Sequence, residues 1–335
     1  MNNTIDKILF PFKRFVHTAY ASGIILFAAV VIALVWVNSP FHDYYHHLWE
    51  THFTVGWHNH KLDQPLHFWI NDGLMAIFFF VIGLELKREF MVGELSTLRK
   101  ALLPMTAALG GMVIPAIIFS CINYGLPSAG GWGIPMATDI AFAIGLLTLA
   151  GNQIPASLKV FLTALAVADD LGAVLVIAIF YSSGIDIPSI ITAVIGLLVL
   201  VCGNLIGIRK TYFYAIIGIV GVWAPLLVSG LHATIAGVLV AFTIPARTKI
   251  NEKIYYNSIS SLIEKFKQEI PINASLISVN QHEIITKIKK ISDDAETPLQ
   301  ELEHTLHPVI SFIIMPVFAL ANAGVVILSL IHISE

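Results

Sequence analysis

The chain has 335 residues, of which 56% are hydrophobic and only 12% charged, with a net charge of −3 and a mean hydropathy of +0.80. A soluble domain carries about 25% charged residues. Half that fraction, spread between long apolar runs, excludes an ordinary soluble enzyme and describes a polytopic membrane protein, and the slight negative charge offers nothing to nucleic acid.

Taken in order, residues 1–18 carry Lys7, Lys13 and Arg14 between Phe10, Phe12 and Phe15 and read as an amphipathic segment on the cytoplasmic surface. Ala19–Asn38 is too long for a cleaved signal core and reads as span 1. The His- and aromatic-rich Ser39–Pro65 follows, with Thr54-Val-Gly-Trp-His-Asn-His-Lys61 read as a small outer β-hairpin. Span 2 is Leu66–Phe90, span 3 Ala101–Ile122, span 4 Trp132–Ala150, span 5 Phe161–Phe180, span 6 Ile187–Ile206, span 7 Tyr212–Val228 and span 8 Leu231–Ile244. Gly110, Gly111 and Pro115 in span 3 allow close packing or a kink, and Ser229-Gly230 forms a tight turn. Residues 245–306 are polar and read as a partly helical cytoplasmic loop. Residues 307–328 read as span 9, giving about nine spans. Cys121 and Cys202 read as buried thiols without a disulfide.

With a cytoplasmic N-terminus, eighteen of the nineteen lysines and arginines fall on the inner side and only Lys61 outside, as the positive-inside rule requires. After Ala321-Asn-Ala-Gly-Val325 the chain closes on Leu328-Ser-Leu-Ile-His-Ile-Ser-Glu335. Those residues look like a translated sequencing adapter, so 329–335 is expected to be a non-native tail on a truncated reading frame.

Five motifs carry chemistry. Asp169 and Asp170 interrupt the otherwise apolar span 5. An ionisable group at that depth costs on the order of 2.5–3.5 kcal/mol, so the pair is expected to serve as a cation or proton site rather than as helix caps. Consecutive residues lie about 100° apart around a helix, so one faces a water-filled path and the other a partner helix. In Ile134-Pro-Met-Ala-Thr-Asp-Ile-Ala-Phe-Ala143, Thr138 and Asp139 follow Gly131, Gly133 and Pro135. That pattern permits a span broken at mid-membrane with its backbone lining a cavity; an N-capping Asp139 is the alternative. Asp139 and the Asp169/Asp170 pair come to similar depth on antiparallel spans.

In Gly83-Leu-Glu-Leu-Lys-Arg-Glu-Phe90, Glu85, Arg88 and Glu89 form either a pH-sensing charge cluster or a solvated helix end with snorkelling basic chains. Glu303, His304 and His307, and separately His232, fit a pH-responsive role or a satisfied polar helix end. A metal site there lacks a third ligand. Asp72 reads as a cap near the outer end of span 2, and His42, His46, His47, His52, His58 and His60 as surface residues.

Together, Phe68-Trp-Ile-Asn-Asp-Gly-Leu-Met-Ala-Ile-Phe-Phe-Phe80, Gly83-Leu-Glu-Leu-Lys-Arg-Glu89, Ala137-Thr-Asp-Ile-Ala-Phe142, Ala166-Val-Ala-Asp-Asp-Leu-Gly172 and Leu320-Ala-Asn-Ala-Gly324 resemble the NhaA-type Na+/H+ antiporters, over about Phe10 to Val325. The resemblance implies an all-α, twelve-helix inverted-repeat fold, spans 3–5 against 10–12, with a discontinuous span 4. It implies a multi-pass protein of the bacterial inner membrane that extrudes Na+ or Li+ in exchange for more than one proton, with no cofactor. Asp170 matches the obligatory cation-binding acid, with Asp169 beside it, so Na+ is placed at Asp169 and Asp170. Thr138 and Asp139 match the polar residues of the span-4 break. Glu85, Arg88, Glu89, His232, Glu303, His304 and His307 match residues of pH response. The outer hairpin 54–61 is a candidate homodimer contact, and the lipid bilayer is a further expected partner. Two departures stand out: the 245–303 connection is long for the family, and spans 10–12 are missing, so the fragment is expected not to transport. The rival readings are an intramembrane aspartyl protease, whose Gly-x-Gly-Asp motif is absent, and a passive cation channel.

Overall fold

The computed structural model describes residues 21–57, 60–93, 95–136, 155–180, 186–269 and 277–326. It is mostly helical, with one two-stranded sheet. Residues 1–18, Thr138 and Asp139, and the tail 329–335 lie outside the described residues.

Helix α1 (Ala21–Val37) turns through 115° into the short α2 (His42–Glu50), which hydropathy alone did not separate from the loop. Its Tyr45 and Trp49, one turn apart, are buried, while His42, His46 and His47 are exposed. Strands β1 (His52–Trp57) and β2 (His60–Pro65) pair antiparallel from His52↔Pro65 to Trp57↔His60, longer on both sides than the expected hairpin. Across the pair the Thr54 hydroxyl donates to Asp63 Oδ1 at 2.7 Å and His52 Nδ1 lies 3.3 Å from Asp63 Oδ2.

The Thr54 bond, then the His52 charge, hold the Asp63 carboxyl below its ordinary value. A depressed carboxylate stabilises the fold above its unfolded pKa and loses that contribution as pH falls through the folded one. Thr54→Val is therefore expected to raise the Asp63 midpoint, read by carboxyl NMR; an unmoved midpoint would show that the hydroxyl does nothing for the charge.

Helix α3 (Leu66–Val92) contains a π-helical turn at Trp69–Leu74. Asp72 sits in that turn rather than at a cap, and no side-chain cap bond is made there. Helix α4 (Leu98–Ile122) runs unbroken through Pro104 and Pro115. Gly110 and Gly111 have no neighbour within 4 Å of a built Cβ, so they permit no close packing among the described residues. Two 3₁₀ turns, Pro127–Gly131 and Ile134–Met136, follow. Helix α5 (Ala156–Phe180) carries the carboxylate pair. Helix α6 (Ile187–Ile206) begins where Asp186 Oδ2 accepts the Ser189 N–H at 3.0 Å, with Pro188 in the first turn, and ends at Gly207, whose φ of 89° is left-handed. Helix α7 (Thr211–Val228) holds a second π-helical turn, Gly218–Trp223. After the Ser229-Gly230 turn (Gly230 φ 82°) comes α8 (Ile235–Thr243), only nine residues. At about 1.5 Å per residue it spans about 14 Å, well short of the ~30 Å hydrocarbon core.

The expected cytoplasmic loop is a packed helical hairpin. Helix α9 (Glu252–Gln268) is capped by Asn251, and α10 (Val279–Ala295) by a Ser278/Gln281 capping box. Half-buried Tyr255, Ile259, Leu262 and Phe266 recur at helical spacing along α9, and the Tyr255 and Ser292 hydroxyls meet at 3.3 Å. Arg209 clasps the base of the hairpin, donating to Arg247 O (2.7 Å) and Glu296 O (2.6 Å).

Helix α11 (Pro298–Asn322) starts at Pro298 rather than at His307, and passes through a third π-helical turn, Ile310–Ile314, just after Pro308. A proline inside a helix removes a donor and crowds the preceding turn, and a wider turn beside it relieves that crowding.

Among the described residues five helices, α3, α4, α6, α7 and α11, are long and apolar enough to cross a membrane, or six if the bent α1–α2 pair counts as one span. Their outward faces are rich in exposed Leu, Ile, Val and Phe, as lipid-facing helices require. Cys121 and Cys202 are exposed on such faces, which corrects the expectation of buried thiols: apolar sequence in a membrane protein marks lipid contact as readily as core.

Candidate functional site

Helix α5 packs against α4 and α3. Gly172 makes the first approach possible, since a Cβ there would lie 2.2 Å from the Met112 sulfur. Ala164, Ala166 and Val174 are buried in the same helix. In its middle Asp169 is buried, at 6% exposure, and Asp170 is half-buried. The ~100° step between neighbours gives the two carboxylates different surroundings. Whether Thr138 and Asp139 stand beside them falls outside the described residues.

A second group of charges lies at the end of α3. Arg88 donates to Glu303 Oε1 on α11 and its Nη2 lies 3.6 Å from Glu89 Oε1. Glu85 is half-buried within electrostatic reach of Glu303, Arg88 and Glu89. Four of the expected pH-response residues thus converge from two elements. His304 and His307, on the same helix as Glu303, are exposed. His232 stands elsewhere: it is half-buried just before α8, close enough to Asp72 to act on its charge. Among the described residues no three His, Cys, Asp or Glu are grouped to hold a metal ion.

Two polar features have no counterpart in the sequence reading. Lys87 Nζ donates to Phe242 O at 2.7 Å and also to Ile244 O, so its cation caps the carbonyl end of α8. At the other end, the Asn322 amide donates to Asn71 Oδ1 (2.9 Å), Asn71 Nδ2 lies 3.0 Å from His67 Nε2, and His67 Nε2 lies 3.2 Å from Asn322 Oδ1. That cluster ties α3 to the end of α11. The Ala-Asn-Ala of residues 321–323 was its only signal, and a lone Asn names no partner.

An apolar helical bundle with paired carboxylates in mid-helix defines a multi-pass membrane protein built to handle ions. The family model described as Na+/H+ antiporter 1 matches residues 13–334, and the chain belongs to that family. It is 48% identical over 324 residues to the Na(+)/H(+) antiporter NhaA of Oleidesulfovibrio alaskensis, covering 96% of this chain and 72% of that protein. It is 49% identical over 321 residues to the NhaA of Acidithiobacillus ferrooxidans, covering 95% and 73%. For the NhaA of Koribacter versatilis the figures are 48% over 322 residues, 96% and 69%. The family is one of secondary transporters, not enzymes, so the protease reading has no support.

Proposed function

We propose that this chain carries the Na+- and proton-handling residues of an antiporter that extrudes Na+, or Li+, in exchange for protons. The observation that carries the reading is the buried Asp169 beside the half-buried Asp170 in the middle of an apolar helix. A carboxylate held there pays desolvation when charged. A proton removes that cost, and so does a bound Na+. Asp170 accepts one at a time and is the obligatory site; Asp169 shares it; Thr138 and Asp139 complete the polar lining at a broken span 4. Alternation of the site between the two sides carries either ion across.

The cluster of Glu85, Arg88, Glu89 and Glu303, with His304, His307 and His232, sets the pH response. The chain forms about nine helices of a twelve-helix inverted-repeat fold, seated in the bacterial inner membrane with residues 1–18 and 245–306 cytoplasmic, spans in 19–244 and 307–328, and the hairpin 54–61 joining a second copy. The support is family membership and the placement of eighteen of nineteen basic residues on one side.

Everted vesicles containing this chain joined to the part of a relative outside the match test this. Na+ and Li+ should dissipate an imposed pH gradient and K+ should not. Arg88→Ala should keep the exchange but move its pH profile by about a unit, because it removes the one cation among three carboxylates. Equal responses to all three ions would favour a passive channel.

A further inference from the structure

Helix α8 ends inside the bundle, and every carbonyl of its last turn is met. A helix leaves its last four carbonyls without partners of its own. Here Val240 O accepts the Thr243 hydroxyl at 2.7 Å and Ala241 O the Ile244 N–H at 3.1 Å. Thr243 O accepts the Asn204 amide of α6 at 2.7 Å, and Phe242 O the Lys87 ammonium of α3 at 2.7 Å. Lys87 reaches Ile244 O as well, so its charge faces the negative end of the α8 dipole. Thr243 is 4% exposed and Ile244 fully buried, which leaves water poorly placed to replace these donors.

The contacts continue into a closed ring. The chain leaves α8 through Pro245, whose carbonyl accepts the Leu299 N–H in the first turn of α11 at 3.2 Å. Glu303 follows one turn later on the same face of α11. It accepts from Arg88, the residue next to Lys87 on α3. Adjacent residues point about 100° apart, so α3 holds α8 with one cation and α11 with the next. Leu84, Ile244 and Leu299 are buried in one apolar cluster at this junction. Glu303 is therefore kept beside Arg88 by two routes: the ion pair itself, and Lys87 acting through the end of α8 and the start of α11.

The charges that act on Glu85 are Glu303, Arg88 and Glu89. The Lys87 ammonium is spent on carbonyls and contributes geometry to this group. The other charged or titratable groups on elements packed against this end of α3 are Arg99 and Lys100 of α4 and Glu301, His304 and His307 of α11, all exposed, and the Asp169/Asp170 pair of α5; α8 has none.

We propose that Lys87 is a positioning residue for the exchange: by anchoring the end of α8 it holds α11 so that Glu303 stays beside Arg88, and so sets where on the pH scale the cluster responds. The proposal rests on the reading that Glu85, Arg88, Glu89 and Glu303 govern the pH response.

Two measurements test it. In detergent, hydrogen–deuterium exchange of this chain over residues 297–303 should be about tenfold faster in Lys87→Met than in the wild type, the worth of one hydrogen bond to a charged group. Lys87→Arg, which keeps the cation and its donors, should exchange as the wild type does. In everted vesicles, with the chain joined to the part of a relative outside the match, Lys87→Met should move the pH profile of Na+ exchange in the same direction as Arg88→Ala and by about half a unit. Lys87→Arg should restore the wild-type profile. Added to Arg88→Ala, Lys87→Met should shift it no further, because no ion pair is then left to hold; a merely structural loss would lower activity without moving the profile. If Lys87→Met does not fold, Lys87→Gln, with a donor on a shorter side chain, is read in the same way. Wild-type exchange over residues 297–303 in Lys87→Met, a profile that stays put while that of Arg88→Ala moves, or full additivity overturns the proposal. An Arg88→Ala profile that stays put overturns the cluster reading beneath it as well.

Discussion

Asp170→Asn should reduce Na+-driven dissipation of a pH gradient in everted vesicles to the level of vesicles without the protein. Asparagine keeps the volume and the hydrogen-bonding reach of the side chain. It cannot lose a proton, and its neutral amide offers Na+ no charge to offset the cation's own dehydration. Proton and cation exchange depends on one group being paid the same desolvation debt by either ligand, and the amide carries no such debt. The measurement should be made on this chain and on the chain joined to the part of a relative outside the match, because the matched regions cover about 70% of the relatives. A Na+ flux that remains coupled to pH at the wild-type rate in the variant would remove Asp170 from the site and return attention to Asp169.

Gly237→Val should be the most damaging of the single-residue packing changes. A Cβ at Gly237 would lie 2.2 Å from Ala76 O and 2.7 Å from Phe80 N, and one at Gly83 2.7 Å from the Ala241 Cβ. Each helix of the α3–α8 crossing thus contributes a glycine where the other's backbone arrives. Small residues allow such approach between helices in lipid, where no hydrophobic force draws them together. Overpacking costs about 1–3 kcal/mol where side chains can yield; here the obstacle is backbone, so the cost should reach or pass the top of that range. Thermal unfolding in detergent should show a fall of several degrees or more for Gly237→Val and little change for Gly110→Val, whose surroundings are open. Equal midpoints would mean that α3 and α8 separate readily. That outcome would also loosen the Lys87 cap on the end of α8, which depends on the same crossing.

Much of the helical layout was legible because hydropathy and capping chemistry are local. The Ile187–Ile206 helix lies between Asp186 and Gly207 in sequence and in structure. The 245–303 connection was legible only as polar; its helices were obscured because their apolar faces are narrow and find their partner in each other. Helix α2 was missed for a related reason. Its buried face is two aromatics, Tyr45 and Trp49, packed in the cluster that includes Ala33, Ile70 and Ala321, residues far away in the chain. Among the site residues, the local pair Asp169/Asp170 was found at once, whereas the contact of Arg88 with Glu303 joins elements 215 positions apart and could be named only through family resemblance. His304 and His307 are exposed while Glu303, on the same helix, is half-buried, a difference of helix face that spacing alone did not give.

The amino-acid sequence by itself determined that this is a helical membrane protein of the Na+/H+ antiporter kind, where its long helices lie, and which carboxylates are buried in apolar surroundings. Those properties follow from composition, from period and from short motifs, each read within a few turns of chain. Only the tertiary structure decided which cysteines face outward, which glycines carry a helix crossing, and that Asp72 and Trp223 meet across two π-helical turns. Each of these depends on which faces of distant helices come together, and exposure, clearance and hydrogen-bond partnership exist only once they have.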